Sequence, residues 1–524
     1  MQISLESARK CRVSAVPLSR QRNKHLIDAK PRHPYRSKHL GNGGHPPCPA
    51  GVFEPDSAEF VLLETDVVTT QPSMLSKSLR ALTLGVVATG ALMASQSDAS
   101  ARAGIRDAEI ERILRGYSDP LFRAAGLDEK AVSMYIINDP SLNAFVTGGQ
   151  NVFLHTGMIM TLDTPNELKG VIAHETGHIS GGHLARGPEA AGKAQVPMLI
   201  GMLAGIAAIA AGAPDLGMGL LIGSQSVAQR EMLSYSRTQE SAADQAGAKF
   251  LSATGQSPRG MALTFDRFAD QEALSGYRQD PFIRSHPLSR ERVSSLQDLV
   301  DNSPYKDKTD TPREIADYAL MRAKLRGFIE KPETVLRRYP QSDRSQAGRY
   351  ARAVAFFRAA DMERALPEVD SLIAERPDYA YFWELKGQML VESSRPKEGV
   401  PAYRKAVELA PNEPLIQASF GAALLAMEDP AVIPEAMKHL KMAIKDEPEN
   451  GMAWYYLADA YARSGDDARA ALATAERYYA LRAYPQAMQF SQRAQKKLAE
   501  GSNDWQRAND ILSISQSEAR NRDR

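Results

Sequence analysis

Five consecutive residues, His174-Glu175-Thr176-Gly177-His178, constrain this chain more than any other feature. The pattern is His-Glu-x-x-His, and the surrounding run from Leu168 to Leu184 has helical periodicity. On a helix, positions i and i+4 share one face, so two imidazoles there can hold one zinc ion. The glutamate between them then stands beside the water such a metal activates and can take its proton. The alternative is a surface helix with two satisfied histidines. Val171, Ile172 and Ala173 supply an apolar face ahead of the first histidine, and Gly177, Gly181 and Gly182 leave space near a metal. Zinc needs a third protein ligand.

Glu240 is the strongest candidate, in the stretch Ser236 to Asp244. Glu240 and Asp244 are again i and i+4 on a predicted helix. One carboxylate can bind the metal while the other orients a ligand histidine from behind. The same spacing also suits a solvated helix face. Other motifs stand in order around these two helices. Asn143-Ala144-Phe145, Gly148-Gly149 and Thr156-Gly157 precede the first. Tyr235-Ser236-Arg237, Glu240-x-x-x-Asp244 and His286-Pro287-Leu288-Ser289-Arg290-Glu291-Arg292 follow it. Together, over residues 105–300, they resemble the M48 family of zinc metallopeptidases.

The resemblance implies one Zn2+ per chain on His174, His178 and Glu240, with Glu175 as general base and Asp244 as a partner behind the ligands. His286 matches a residue that caps the zinc and keeps periplasmic members latent, or that stabilises the transition state. Arg292 matches a charged residue near the site. Thr176-Gly177 departs from the family in lacking the bulkier residue common between the histidines. Three other histidines are expected outside the site. His155 sits on a predicted strand, Val152 to Thr156, where it packs or faces solvent. His183 lies five residues past His178, about 140° further round an ideal helix, and so points away from the metal. His439 is expected on the surface of the C-terminal helices.

The start of the chain does not read as a domain. Residues 1–73 are rich in Pro, Gly, Arg and His without sustained apolar period, and contain both cysteines, Cys11 and Cys48. They are expected to be a disordered or misassigned extension, with translation beginning at Met74. From Met74 the chain reads as a secretory signal: Lys77 and Arg80, then an apolar run from Ala81 to Ala94, then Ala99-Ser100-Ala101 as a cleavage site. Cleavage near Ala101 leaves an exported chain without cysteine, which suits a bacterial periplasm. With 64 Lys and Arg against 63 Asp and Glu, there is no basic excess to suggest nucleic acid as a partner.

Between the two metal helices lies an apolar insertion, Val196 to Gly223, broken by Pro214-Asp215. Its first arm, Val196 to Ala213, carries no charge. As a helix it reaches ~27 Å, the lower limit for a membrane span. A single span would separate His178 from Glu240 across the bilayer. The preferred reading is an amphiphilic or buried lid over the cleft, with contact to a membrane surface near 196–223 as the alternative.

The second half repeats. Pro340, Pro377, Pro411 and Pro448 recur every 34–37 residues, close to the period of tetratricopeptide repeats. Trp383, Gly387, Tyr403, Ala406 and Pro411 fall on that repeat's Trp, Gly, aromatic, Ala and Pro slots. Gly421, Ala443 and Pro448 follow, with three extra residues around Glu428 to Pro434. Trp454, Leu457, Tyr461 and Ala470 begin another unit. Such an array offers a concave binding surface and is expected to have its own core, so the metal domain should survive its removal.

The expected fold is α+β: a zincin-like metalloprotease domain (102–305) with a small sheet, followed by an all-α tetratricopeptide-repeat solenoid (312–515). Signal segment, M48-like region and repeats stand in the order of periplasmic members of the family. That resemblance implies a zinc endopeptidase acting on unfolded or stalled envelope proteins, with the outer-membrane assembly machinery as partner through the repeats. The alternative is a chaperone or assembly scaffold with a mostly latent protease site. An extended substrate is expected to add to the sheet near Asn151 to Thr156 by backbone pairing.

Overall fold

Asp107 caps the first helix and anchors more than that. The structure, a computed structural model, describes residues 104–148, 150–184, 199–200, 202–204, 206, 214–274, 282, 286 and 290–522. The expected N-terminal extension and signal segment lie outside the described residues, as do Gly149 and Pro287 to Ser289. A short strand β1 (Gly104–Ile105) leads into α1 (Ala108–Ala124), whose N-cap Asp107 accepts the Ile110 N–H. Then come β2 (Ser133–Ile137), β3 (Ala144–Thr147) and β4 (Asn151–His155). The sheet order is β1-β2-β4-β3, with β2 and β4 parallel and the other pairs antiparallel. Val152 and Leu154 of β4 are buried, while Phe153 stacks between Tyr135 and Phe145 at ring distances of 4.9 and 5.0 Å.

This topology corrects the expected docking strand. β4 is paired on both sides, and Thr156 already belongs to the next helix, so Asn151 to Thr156 has no edge to offer. The outer strands are β3 and the two-residue β1. Just before β3, the Leu142 carbonyl accepts the Phe282 N–H at 3.3 Å.

Helices complete the first part: α2 (Thr156–Thr161), α3 (Pro165–Ser180), α4 (Pro214–Ala253), α5 (Arg259–Leu274) and α6 (Arg290–Asp301). α3 starts where Thr164 caps the Glu167 N–H and Pro165 takes the first turn, where a missing N–H costs nothing. Its close neighbours exploit glycine. A Cβ on Gly170 would stand 2.6 Å from the Met261 Cα of α5. The apolar insertion is described only in part. Leu199, Ile200, Leu203, Ile206, Leu216 and Met218 are all at least half exposed, which contradicts a buried lid at those positions. Its expected return arm, Leu216 to Gly223, is the beginning of the long α4. No described helix is long and apolar enough to cross a membrane.

The second part is all helical. α7 (Pro312–Ile329) and α8 (Pro332–Arg338) lead into antiparallel pairs. These are α9 (Gln346–Arg358) with α10 (Met362–Glu375), α11 (Ala380–Glu392) with α12 (Pro396–Leu409), and α13 (Pro414–Leu425) with α14 (Ile433–Asp446). α15 (Gly451–Arg463) with α16 (Asp467–Ala480), then α17 (Tyr484–Gln495) with α18 (Asn503–Arg522), end the array. Glycine lets the helices of a pair touch: a Cβ on Gly387 would meet the Tyr403 ring at 2.6 Å, and one on Gly421 the Leu440 side chain at 2.6 Å. A second repeated device joins consecutive pairs. The side chains of Trp383, Gln417 and Trp454 each donate to the carbonyl of the proline six residues earlier, Pro377, Pro411 and Pro448. The extra residues before α14 form a short 3-10 turn, Pro430–Val432. His439 is buried rather than on the surface; its Nδ1 meets Gln417 Oε1 at 2.6 Å and its ring lies against Phe420.

The repeats do not keep a core to themselves. One continuous apolar core runs from Ile105 through α1, the sheet and α3–α7 to Phe382 and Ile416; only the later repeats have separate clusters. Lys324 of α7 is its polar centre, 1% exposed, with its Nζ 2.9 Å from Asp107 Oδ1 and 3.3 Å from Glu109 Oε2. Tyr350 and Tyr379 donate to the two oxygens of Glu109 at 2.5 and 2.7 Å. Burial disfavours the charged forms, but Lys324 overcomes it and holds the Asp107 carboxyl well below its usual range. Lys324→Met should therefore strand two buried carboxylates and cost about 3–5 kcal/mol in denaturant unfolding. For the same reason, and against the expectation from sequence, a chain cut before Pro312 should not fold as a stable unit; a cooperative unfolding transition for that fragment would contradict this.

Candidate metal centre

The sequence places two histidines on α3 and two carboxylates on α4, and a close helix crossing brings them together. A Cβ on Gly177 would stand 2.6 Å from the Ala243 carbonyl oxygen, and one on Gly247 3.1 Å from Ala173 backbone atoms. Gly177 thus serves helix contact rather than open space for a metal. Across this contact His174, His178 and Glu240 converge with His286, each buried, with one ligand atom apiece and all four atoms within 4.8 Å of one another. His174 Nε2 and His178 Nε2 are 3.1 Å apart, and each lies 3.4 Å from a Glu240 oxygen. His286 Nδ1 is 3.1 Å from His174 Nε2 and 3.1 Å from Glu240 Oε2.

Behind these atoms stands a charged layer. Asp244 Oδ1 lies 2.9 Å from His174 Nδ1. Arg292 of α6 donates through Nε and Nη2 to the two Asp244 oxygens at 2.8 and 2.9 Å, and its Nη1 is 3.1 Å from Glu240 Oε2. Burial works against a charged His174, yet the Asp244 and Glu240 carboxylates push it up to about 9. The field that makes His174 hold a proton is the field that makes it hold a cation. Burial, with His174 beside it, keeps His178 neutral and so a competent nitrogen donor. Glu240 is also buried, but His174 and His286 draw its carboxyl far below the usual range, so it is anionic.

Glu175 occupies a different environment. It is fully buried, and neither carboxylate oxygen has a hydrogen-bond partner among the described residues. Burial raises its pKa, with His286 and His174 opposing. His286 Nε2 is 3.4 Å from its Oε1. Phe265 meets His174 edge-on at 5.3 Å and Phe282 covers His286 at 4.6 Å, so the walls are aromatic. Three nitrogens and a carboxylate oxygen are a donor set suited to zinc, and the orphaned Glu175 oxygens need a cation or a polar molecule beside them. The residues present fit a divalent metal such as zinc.

His155 is outside the cluster, packed with its Nδ1 2.8 Å from Ser141 Oγ. His183 is outside the four converging ligands, as expected, but its ring turns back against His178. α3 ends at Ser180, Gly181 caps it and Gly182 has φ +62, so the ideal-helix angle does not apply to residue 183. Its Nδ1 lies 2.9 Å from His178 Nδ1. The Gly181-Gly182 pair was the available signal, since glycine marks helix ends. His286 donates its backbone N–H to the Phe282 carbonyl at 2.8 Å.

Residues 105–300 match the model of peptidase family M48, and residues 350–414 and 433–487 match a tetratricopeptide repeat. The chain carries an M48 metalloprotease domain followed by tetratricopeptide repeats. The beta-barrel assembly-enhancing protease of Yersinia pestis is 26% identical over 340 residues, 63% of this chain and 68% of the relative. Its namesake in Escherichia coli (strain K12) is 25% identical over 351 residues, covering 66% and 70%. The metalloprotease LoiP of Escherichia coli (strain K12) is 31% identical over 174 residues, 32% of this chain and 61% of that protein. The buried His, His, Glu and His cluster is consistent with a zinc-binding M48 protease site.

Because α3 and α4 meet backbone to backbone at Gly177, Gly177→Ala should separate the two halves of the ligand set. It should cost about 1–3 kcal/mol in thermal unfolding of the metal-free chain and weaken zinc binding in a chelator competition. Unchanged zinc affinity would show that the crossing distance does not set the site.

Proposed function

We propose that the chain is a zinc-dependent endopeptidase of the cell envelope that degrades or supervises misassembled outer-membrane proteins. The observation that carries the reading is Glu175: a buried carboxylate without hydrogen-bond partners among the described residues, set against four converging candidate ligands. One Zn2+ per chain is held by His174, His178 and Glu240, with Asp244 and Arg292 fixing His174 and Glu240 from behind. Bound there, the metal would polarise the scissile carbonyl and make water nucleophilic at neutral pH. Glu175 accepts the water's proton and passes it to the leaving amine, and its raised pKa suits both halves of that transfer. The substrate lies extended along the outer strand β3, Ala144 to Thr147, pairing through its backbone.

His286 supports a second reading, a chaperone or scaffold with a mostly latent site. With its Nδ1 among the ligand atoms and its Nε2 toward Glu175, it fills the fourth position and faces the base together. Both readings are met by one protein whose His286 withdraws when substrate arrives. We assign hydrolysis to residues 102–305 and recognition of the assembly machinery to the repeats, 312–515. Relatives matched over about two thirds of their length are named for beta-barrel assembly, which supports an envelope client and a periplasmic location. The exposed apolar residues between 199 and 220 support peripheral contact with a membrane or an apolar client.

Glu175→Gln should keep zinc and fold while losing ~10²–10⁴-fold in hydrolysis of an unfolded protein substrate. Near-normal cleavage by the purified variant would reject Glu175 as base. His286→Ala should raise cleavage by the purified chain; a fall instead would move His286 from restraint to transition-state support.

A further inference from the structure

The two histidine ligands are held from behind by different chemistry. His174 Nδ1 faces the carboxylate of Asp244 at 2.9 Å. His178 Nδ1 faces another imidazole, that of His183, also at 2.9 Å, with the rings edge to face at 5.0 Å. His178 Nε2 is the atom turned into the cluster. An imidazole that gives its Nε2 lone pair to a cation carries its remaining proton on Nδ1. The atom 2.9 Å away must then accept that proton, so His183 Nδ1 is the acceptor and His183 keeps its own proton on Nε2.

The local chain is shaped for this pairing. Gly182, at φ +62, reverses the backbone after α3 and returns His183 toward the helix it has just left. Gly181 makes room: a Cβ there would stand 2.5 Å from His183 Nε2 and 2.9 Å from two ring carbons. The His183 carbonyl accepts from Gln239 Nε2 at 3.4 Å, one residue before Glu240 on α4, so the turn is tied to the helix of the third ligand.

We propose that His183 is a positioning residue of the metal centre: it accepts the His178 Nδ1 proton, fixes His178 in the tautomer that presents Nε2, and holds the ring's orientation. Gly181 and Gly182 are the parts of the chain that allow it. The proposal rests on the reading of His174, His178 and Glu240 as metal ligands. An outer partner of this kind is worth ~10–100-fold in metal affinity.

The test is zinc affinity of the full chain by competition with a chromogenic chelator, beside thermal unfolding of the metal-free protein. His183→Leu should lose ~10–100-fold in zinc affinity. His183→Asn, whose carbonyl oxygen can accept the same proton from a similar place, should recover most of it. Gly181→Ala, which displaces the His183 ring without altering it, should reproduce the loss. Equal affinity in wild type and His183→Leu, or equal weakening in His183→Leu and His183→Asn, overturns the proposal, the second because it reduces His183 to packing. If Leu or Gly181→Ala disturbs the fold, His183→Ala takes its place beside His183→Asn: a loss in Ala that Asn recovers supports the proposal, and no loss in Ala, or an equal loss in both, overturns it. A wild-type chain that binds no zinc would instead sink the metal reading beneath it.

Discussion

The crossing of α3 and α4 is the contact on which the site depends. Four candidate metal-centre residues, His174, His178, Glu240 and Asp244, sit on two helices whose sequences share no local signal of proximity. Glycine at 177 and 247, opposite Ala243 and Ala173, brings the backbones so close that side chains on either flank share one small volume. A methyl group on this seam would act on the ligand set as a wedge acts on a hinge. Everything else in the centre is adjustment: Arg292 neutralises the carboxylates, and the aromatic rings of Phe265 and Phe282 exclude water and strengthen each charge interaction.

Legibility in the sequence followed sequence distance. The metal helix could be read because its histidines are four residues apart and the helix period does the rest. The repeats could be read because their proline, glycine and aromatic positions recur. Strand order could not: which strand is outermost depends on β2 pairing with β4 across the chain that folds between them, and no local pattern encodes it. His183 was rightly left out of the ligand set, but its orientation was misjudged because a helix was extended past two glycines. His439 was misplaced because the partner that permits its burial, Gln417, lies 22 residues earlier on the neighbouring helix. The buried tie between Lys324 and Asp107 spans 217 residues, beyond any reading of periodicity.

His286 and Glu175 give the centre its character. Glu175 makes no hydrogen bond among the described residues, and that is costly, since a buried carboxylate forfeits its solvation. The ring of His286 stands where it relieves part of that cost, 3.4 Å away. His286 donates its backbone N–H to the Phe282 carbonyl, and the Phe282 N–H donates to the Leu142 carbonyl just before β3. Through these two bonds the residues beside the metal centre are joined to the chain leading into β3.

The shared core has a further meaning for a protein of this kind. A peptidase that cuts unfolded chains lives among copies of itself, and any segment that opens alone is food for its neighbours. Opening a segment is cheapest where it has few apolar contacts and exposed hydrogen bonds. By closing one core across α1, the sheet, α7 and the first repeats, and by locking it with a buried Lys324, the fold removes the seam at which such a two-part chain would ordinarily part. Cooperativity of this kind leaves fewer locally opened segments exposed to cutting.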